Sequence, residues 1–561
     1  MKLKNILVTL SLLAAFSACT EEMDYNEFVS YDEEQIFASF DRTQSFVTNV
    51  YSYLDYDFGN FGGGMLASAS DEADYVWKSS NVHDFYNGAW SPSNPKADIW
   101  NNSYAGIRAA NFYLTASQGH TYDDFKFNQD YNDQMDRFNR YQYEVRFLRA
   151  YFYFNLVRQY GDVPLITEVL TADEANSLSR TAASDVFDFI ATECDAIANE
   201  LPASYQDLPY TETGRVTRLA VLSLKARSLL YRASPLFNTS NNAQYWKDAA
   251  LANKAVIDSC AHYGKSLGAY TALWGTENYN ASEVIFARRI GDLNWLESNN
   301  FPVGVEGGSS GNCPTQTLVD AYEMKATGKR WNEEGSGYNA AEPYEGRDPR
   351  FEMTIAKNGD TGWPSYNSNE LQTYVGGLNG APLSGATTTG YYLKKYLDSS
   401  VDLRPNTSNS KRHSWITYRL GEFYLNYAEA AFNYLGSADA TDGELTLSAV
   451  DAVNVIRQRT GVNMPALETG LSNADFETKY KNERMVELAF EGHRFWDVRR
   501  WKEGALFAQI SCMQIEKNSD DSFSYTRYVK ERGWDDKMYF FPIPDSERRK
   551  NPNLSQNAGW N

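Results

Sequence analysis

Histidine and cysteine are scarce, with five of each in 561 residues. No two cysteines stand at C-x-x-C spacing and no histidine lies in an H-E-x-x-H setting, which excludes the usual zinc and redox motifs. A P-loop, a dinucleotide fingerprint and a G-x-S-x-G elbow are missing as well. Basic residues fall short of acidic ones, 52 against 73, and the formal charge of −21 argues against nucleic acid or an anionic lipid surface as partner. Beyond the first residues no apolar run approaches the roughly 20 residues a membrane-spanning helix needs. What the chain does have is aromatic side chains: 39 Tyr, 30 Phe and 13 Trp. So many Tyr and Trp suggest surfaces that stack on something flat-faced and polar.

The N-terminus reads as an export signal. Lys2 and Lys4 precede an apolar run from Ile6 to Phe16, and the small residues Ser17 and Ala18 precede Cys19, so residues 1–18 form a signal peptide. Phe16-Ser17-Ala18-Cys19 resembles the lipobox of bacterial lipoproteins, in which the cysteine is acylated and becomes the first residue of the mature chain. Residues 19–35 are then a lipidated flexible tether, and the acidic Thr20 to Asp24 resembles a surface-export signal. Several acyl chains on Cys19 anchor a protein stably where one chain does not. The other cysteines, Cys194, Cys260, Cys313 and Cys512, lie far apart and require no disulfide. Cys194 and Cys260 fall in helical patterns, where cysteine is usually a small buried apolar residue.

Apolar residues recur at helical spacing in several blocks. Val145, Leu148, Phe152, Leu156 and Tyr160 mark a helix over Tyr141 to Tyr160, which Gly161 and Pro164 stop. The pattern returns over Ala183 to Leu201, Arg215 to Ser234, Trp246 to Cys260, Ile416 to Leu435 and Leu447 to Thr460. It ends with one long stretch from Phe476 to Trp501, and an earlier pair lies in Ile36 to Leu54 and Ile99 to Leu114. Helices arriving in pairs of this size bury a core by stacking, as tetratricopeptide arrays do. Without a shared 34-residue consensus the array is degenerate, so the expected fold is mostly α. Between about 263 and 413 the texture turns to Gly, Asn, Ser, Thr and Tyr with short β-type runs such as Val284 to Ala287. This stretch reads as an irregular subdomain inserted between array segments 36–262 and 414–561 of one domain, and long ordered insertions on a rigid scaffold tend to carry function.

Several motifs then line up. Tyr143 through Pro164, Gly214-Arg215-Val216-Thr217-Arg218 with Lys225-Ala226-Arg227, Tyr418 through Ala430, and Val453 through Arg459 occur in that order. Asn482-Glu483-Arg484, Phe490 through Arg494, Asp497 through Trp501, and Phe541-Pro542-Ile543-Pro544 follow. Together these resemble the SusD/RagB family of Bacteroidetes outer-membrane lipoproteins, over nearly the whole chain. The resemblance implies a helical tetratricopeptide-like scaffold, a lipid anchor, and a cell-surface role beside a SusC-like TonB-dependent transporter. Such proteins capture oligosaccharides and act as a lid over the transporter, without catalysis or cofactor.

The charged motif residues Glu144, Arg146, Arg149, Glu487, Glu491, Arg494 and Asp497 could be taken for a paired-carboxylate active site. Charges at helical spacing more often tie helices together, so these are assigned to the scaffold. A sugar-binding surface needs exposed rings edged by hydrogen-bonding side chains. Ser68 to Trp100 offers both, with Asp71, Asp74, Trp77, Lys78, His83, Tyr86, Asn87 and Trp90. The insertion offers Tyr279, Trp295, Trp331 and Tyr338 among glycines and asparagines. The ligand-binding set expected from sequence is therefore Trp77, Trp90, Trp295, Trp331, Asp71, Tyr86, Tyr279 and Tyr338, while Trp100 and Trp274 belong to packing. Asp130 to Asp133 lacks the Gly and terminal Glu of a calcium loop and reads as an acidic turn, so no metal is expected. A peptide-binding uptake lipoprotein and a surface glycoside hydrolase remain as alternatives.

Overall fold

The computed structural model describes residues 33–206, 208–210 and 212–560, so the signal peptide, Cys19 and most of the tether lie outside the described residues. Helices dominate. Phe40–Tyr51 (α1), Trp100–Ala116 (α2), Tyr131–Tyr160 (α3), Ala183–Ile197 (α4), Arg218–Ala233 (α5) and Ala243–His262 (α6) precede the insertion. Leu420–Leu435 (α7), Ala449–Arg457 (α8), Asn473–Glu487 (α9) and His493–Arg500 (α10) follow it. Helix α2 packs on α3, α3 on α4, α4 on α5, α5 on α6, α6 on α7 and α7 on α8. This serial stacking is the degenerate tetratricopeptide-like array. None of the described helices is long and apolar enough to cross a membrane.

The periodic residues do what their spacing predicts. Val145, Leu148, Phe152, Leu156 and Tyr160 are all buried, and α3 ends at Gly161, whose φ of 70° favours a residue without a Cβ. The helix begins earlier than its apolar period suggests, at Tyr131, so Asp130 is the residue before a helix and its carboxylate accepts from Gln134 Nε2 at 2.7 Å. The early pair is also rearranged, since α1 and α2 each pack more extensively on α3 than on each other.

Two elements depart from the sequence reading. The stretch Phe476 to Trp501 is not one helix: α9 stops at Glu487, and Phe490 and Gly492 adopt φ of 62° and 76° before α10 starts. Phe490 is fully buried there and its N–H donates to the Glu72 carboxylate at 3.2 Å, a tertiary contact that local periodicity does not encode. The C-terminal segment is not wholly helical either. Gln509–Lys517 and Phe523–Glu531 form an antiparallel hairpin with Cys512 opposite Tyr528.

Four short two-stranded sheets complete the described structure. Ala73–Tyr75 (β1) pairs with Asn312–Pro314 (β3), and Val284–Leu293 (β2) pairs with Lys411–Arg419 (β4). The β2–β4 ladder sets Val284 against Arg419 and Leu293 against Lys411, so the two ends of the insertion meet at one place. The hairpin strands Gln509–Lys517 and Phe523–Glu531 are termed β5 and β6.

A buried charge network stitches the insertion to the array. Arg419 binds Glu283 (3.0 Å), Glu487 (2.8 Å) and Glu491 (2.7 Å); Arg350 binds Asp348 (2.7 Å), Glu483 (2.6 Å) and Glu487 (2.9 Å). Arg459 joins Glu283 to Glu487, Arg457 joins Glu323 to Glu483, and Lys395 pairs with Glu491. Unpaired charges in such a place would be expensive, and here each is matched. The motif carboxylates Glu487 and Glu491 are thus structural, as are Arg494, which clasps Asp71, and Asp497, which bridges Arg484 and Arg500. The thiols of Cys194, Cys260, Cys313 and Cys512 are buried and unpaired.

Candidate functional site

Three segments distant in sequence meet around a cleft of about 960 Å³, at the upper end of the ~300–1,000 Å³ typical of ligand sites. The early segment contributes Asp74 in the middle of β1, with Lys78, His83, Tyr86 and Asn87 in the chain after it. The insertion contributes a loop from Thr373 to Gly390. The hairpin contributes Met513 to Ile515 and Tyr528 to Arg532.

The hairpin is held in place by backbone pairing beyond its own ladder. Met513 N–H donates to Thr389 O and Val375 N–H to Ile515 O, each at 2.9 Å. Alternation along β6 sends neighbouring side chains to opposite faces. Tyr528 hydrogen-bonds Thr388 O and Lys530 reaches Asp74 on the cleft side. Tyr525 and Arg527 face the other way, onto Tyr344 and Trp331.

Asp74 anchors the polar wall. Its carboxylate receives Lys530 Nζ and Arg532 Nη2, both at 2.8 Å, and the Thr388 hydroxyl at 3.0 Å. Burial alone would raise its pKa, but the two cations outweigh burial and hold the carboxyl well below its usual range. Arg532 also covers one face of Tyr86, 4.2 Å from its ring centroid. The Tyr86 hydroxyl meets His83 Nδ1 at 2.6 Å, and burial pushes its pKa up, so the ring is fixed and neutral. Apolar rim residues project beside it: Val375, Leu383 and Tyr528 are 47%, 43% and 37% exposed. Flat apolar area edged by fixed donors and acceptors is the surface a sugar ring requires.

The eight residues expected from sequence do not assemble into one site. Tyr86 lines the cleft. Trp77 lies behind its wall, half-buried, with Nε1 donating to Ser309 O at 2.8 Å and its ring so close to Gly385 that a Cβ there would come within 2.6 Å. Trp295 is exposed, on the short helix Trp295–Asn300 away from the cleft lining. Trp331 lies under Arg527 at 3.7 Å and beside Tyr338 at 5.7 Å, on the face of the hairpin opposite Tyr528. Tyr279 sits under Arg289 at 3.8 Å near β2. Two expectations are overturned. Trp90 is core, 3% exposed among Phe85, Phe541 and Trp560, because the C-terminal Phe541-Pro542-Ile543-Pro544 segment covers it. Asp71 is buried too, its two oxygens taken by Arg494 at 2.9 and 2.7 Å. Trp100 and Trp274 are buried, as expected.

Tyr528, Lys530 and Arg532 escaped the sequence reading. Alternation in Phe523–Glu531, after the polar turn Asn518 to Ser522, was the available signal. Among the described residues no group of three or more His, Cys, Asp or Glu gathers as metal ligands.

Comparison with known proteins agrees with this architecture. A crystal structure of a SusD-like protein from Bacteroides fragilis is 27% identical, with TM-score 0.77, and the match covers 94% of this chain and 98% of that one. A second from the same species, described as a SusD-like carbohydrate binding protein, is 25% identical with TM-score 0.73 over 93% and 100% of the two chains. A SusD-like protein of Formosa agariphila is 23% identical over all of this chain and 99% of its own length. Residues 24–230 match a family model described as starch-binding associating with outer membrane, and residues 282–560 match that of the SusD family. By both models and by the fold they share with these relatives, the chain belongs to the SusD-like family.

Proposed function

We propose that the protein is a cell-surface lipoprotein of the outer membrane that captures an oligosaccharide or polysaccharide in the cleft of Asp74, Tyr86 and Tyr528. It passes the glycan to a SusC-like TonB-dependent transporter and performs no chemistry on it. The carrying observation is the exposed ring of Tyr528 beside Val375 and Leu383, set against the fixed polar wall of Asp74, Lys530 and Arg532. The relative described as carbohydrate binding supports the ligand class, and the outer-membrane family description supports the location.

Removing the Tyr528 ring by Tyr528→Ala is expected to weaken glycan affinity roughly three- to tenfold, the worth of one aromatic stacking contact. Stability should hold within about 0.5 kcal/mol because the ring is exposed. Calorimetric titration of the mature chain with a glycan and peptide panel, followed by the variant with the glycan that binds, tests this. Parent-like affinity in both Tyr528→Ala and Tyr86→Ala would move the site elsewhere. Shortened glycan products after prolonged incubation would overturn the non-catalytic reading.

The anchor is tested separately. Cys19→Ala is expected to shift the protein from the detergent to the aqueous phase on partitioning while leaving its melting temperature unchanged. Equal membrane retention of both forms would exclude acylation at Cys19.

A further inference from the structure

The charges lining the cleft do not balance. Asp74 is the carboxylate turned into it, and both of its oxygens are filled from within the protein. Lys530 Nζ and the Thr388 hydroxyl donate to one oxygen at 2.8 and 3.0 Å; Arg532 Nη2 and the Tyr86 hydroxyl donate to the other at 2.8 and 3.4 Å. A carboxylate so occupied has no lone pair left for a sugar hydroxyl. Glu531 also borders the cleft, but it stands out of phase with Tyr528 and Lys530 along β6, so alternation directs its side chain to the opposite face.

The cations are not all used. Arg532 is spent on Ser70 O, Ala73 O and Asp74. Lys530 bonds to Asp74 alone, and with its side chain 30% exposed the other donors of the ammonium are open. Lys78 is exposed and makes no ion pair, hydrogen bond or ring contact with any described residue. Surface lysines elsewhere in this acidic chain find a carboxylate, as Lys225 finds Asp195 and Lys254 finds Asp258. The backbone that presents Lys78 is nevertheless fixed. The Trp77 indole donates to Ser309 O at 2.8 Å, and the Trp77 carbonyl accepts from Ser80 N–H at 3.0 Å and meets His83 Nε2 at 3.1 Å.

We infer that the glycan captured in the cleft is an acidic one, whose carboxylate or sulfate groups are met by Lys78 and Lys530; this rests on the cleft being the capture site. Ammonium-to-oxyanion hydrogen bonds are of the charge-assisted kind, stronger than those to a neutral hydroxyl. The formal charge of −21 is spread over the whole chain and is screened beyond about 8 Å at physiological salt, so the groups lining the cleft decide what binds there.

Calorimetric titration of the mature chain at one ionic strength tests it. The ligands are an oligogalacturonate and a sulfated galactan oligosaccharide, each beside its uncharged twin (methyl-esterified or desulfated), and a neutral gluco-oligosaccharide. At least one charged member should bind about tenfold or more tighter than its twin, the worth of a charge-assisted bond. Preference for the galacturonate identifies a carboxylate ligand, and preference for the galactan a sulfated one. Lys78→Gln should shrink the charged-to-uncharged ratio about two- to fivefold, and Lys78→Glu should shrink it further. Both should keep the parental melting temperature, since the side chain touches nothing. Lys126→Gln, at an exposed lysine before α3 and outside the cleft, should leave the ratio as it was. Twins bound alike, or a preference that survives Lys78→Glu, overturns the inference while glycan capture stands. Binding of no member at all overturns capture and this inference together.

Discussion

Replacing Glu487 with glutamine is expected to destabilise the protein by about 3–5 kcal/mol, the cost of breaking a buried ion pair from one side. Glu487 is fully buried, and one side chain serves Arg350, Arg419 and Arg459 at 2.9, 2.8 and 2.8 Å. Without its charge the three guanidiniums repel one another in a place water does not reach. Burial pushes its pKa up, but the arginines outweigh burial and bring it down to about 2 from an ordinary 4.5. A carboxylate with a depressed folded pKa contributes stability that is complete above its unfolded pKa and lost as pH falls through the folded value. That contribution should therefore fade between about pH 4.5 and 2, and its size, about 3 kcal/mol, agrees with the mutational figure. Denaturant midpoints of parent and Glu487→Gln at pH 7 and pH 3 measure both. The parent should lose stability toward pH 3 and the variant should lose less. A loss under about 1 kcal/mol at pH 7 would show that the network is not a strut.

Trp90→Ala is expected to cost about 3–5 kcal/mol of stability, the usual price of truncating a buried Trp. Its ring lies 4.6 Å from Phe541 and 4.9 Å from Trp560, so the cavity left behind is walled by two large side chains that cannot collapse into it. The protein that remains folded should bind glycan like the parent, because Trp90 lines no part of the cleft. Trp295→Ala, at an exposed ring, should change stability by no more than about 0.5 kcal/mol. Urea unfolding and calorimetry on the two variants together separate core from surface tryptophan. A Trp90→Ala protein of parental stability would contradict the burial described.

The contrast between these tryptophans shows where sequence carries information and where it stops. Val145, Leu148, Phe152, Leu156 and Tyr160 announce their helix because helical packing repeats at a period visible locally. Trp90 sits in irregular chain, where no period separates core from surface, and it is buried by residues from the far end of the protein. The same reason hid the cleft. Tyr86 belonged to a recognisably aromatic, polar stretch, but its partners Tyr528 and Arg532 lie on a hairpin within what read as helical array. Alternation of side chains across that hairpin, not composition, decides that Tyr528 faces the cleft while Arg527 faces Trp331. The break between α9 and α10 does not show in the apolar period; Gly492, in the left-handed region, is its one local signal, and the Phe490 amide there is held by Glu72.

The β2–β4 ladder bears on how such a protein can change ligand over evolutionary time. Because Val284 lies against Arg419, both feet of the insertion stand on neighbouring backbone positions. A loop closed at its feet can grow or shrink at little thermodynamic cost, about 0.6 kcal/mol for each doubling of its length. The array can therefore host insertions of different length, provided they keep Glu283, Arg350 and Lys395, which match the buried charges of Arg419, Glu487 and Glu491. A transplanted insertion, however, would bring only the wall from Thr373 to Gly390. Asp74, Tyr86 and the hairpin would stay with the host, so the grafted cleft would be a hybrid whose selectivity belongs to neither parent.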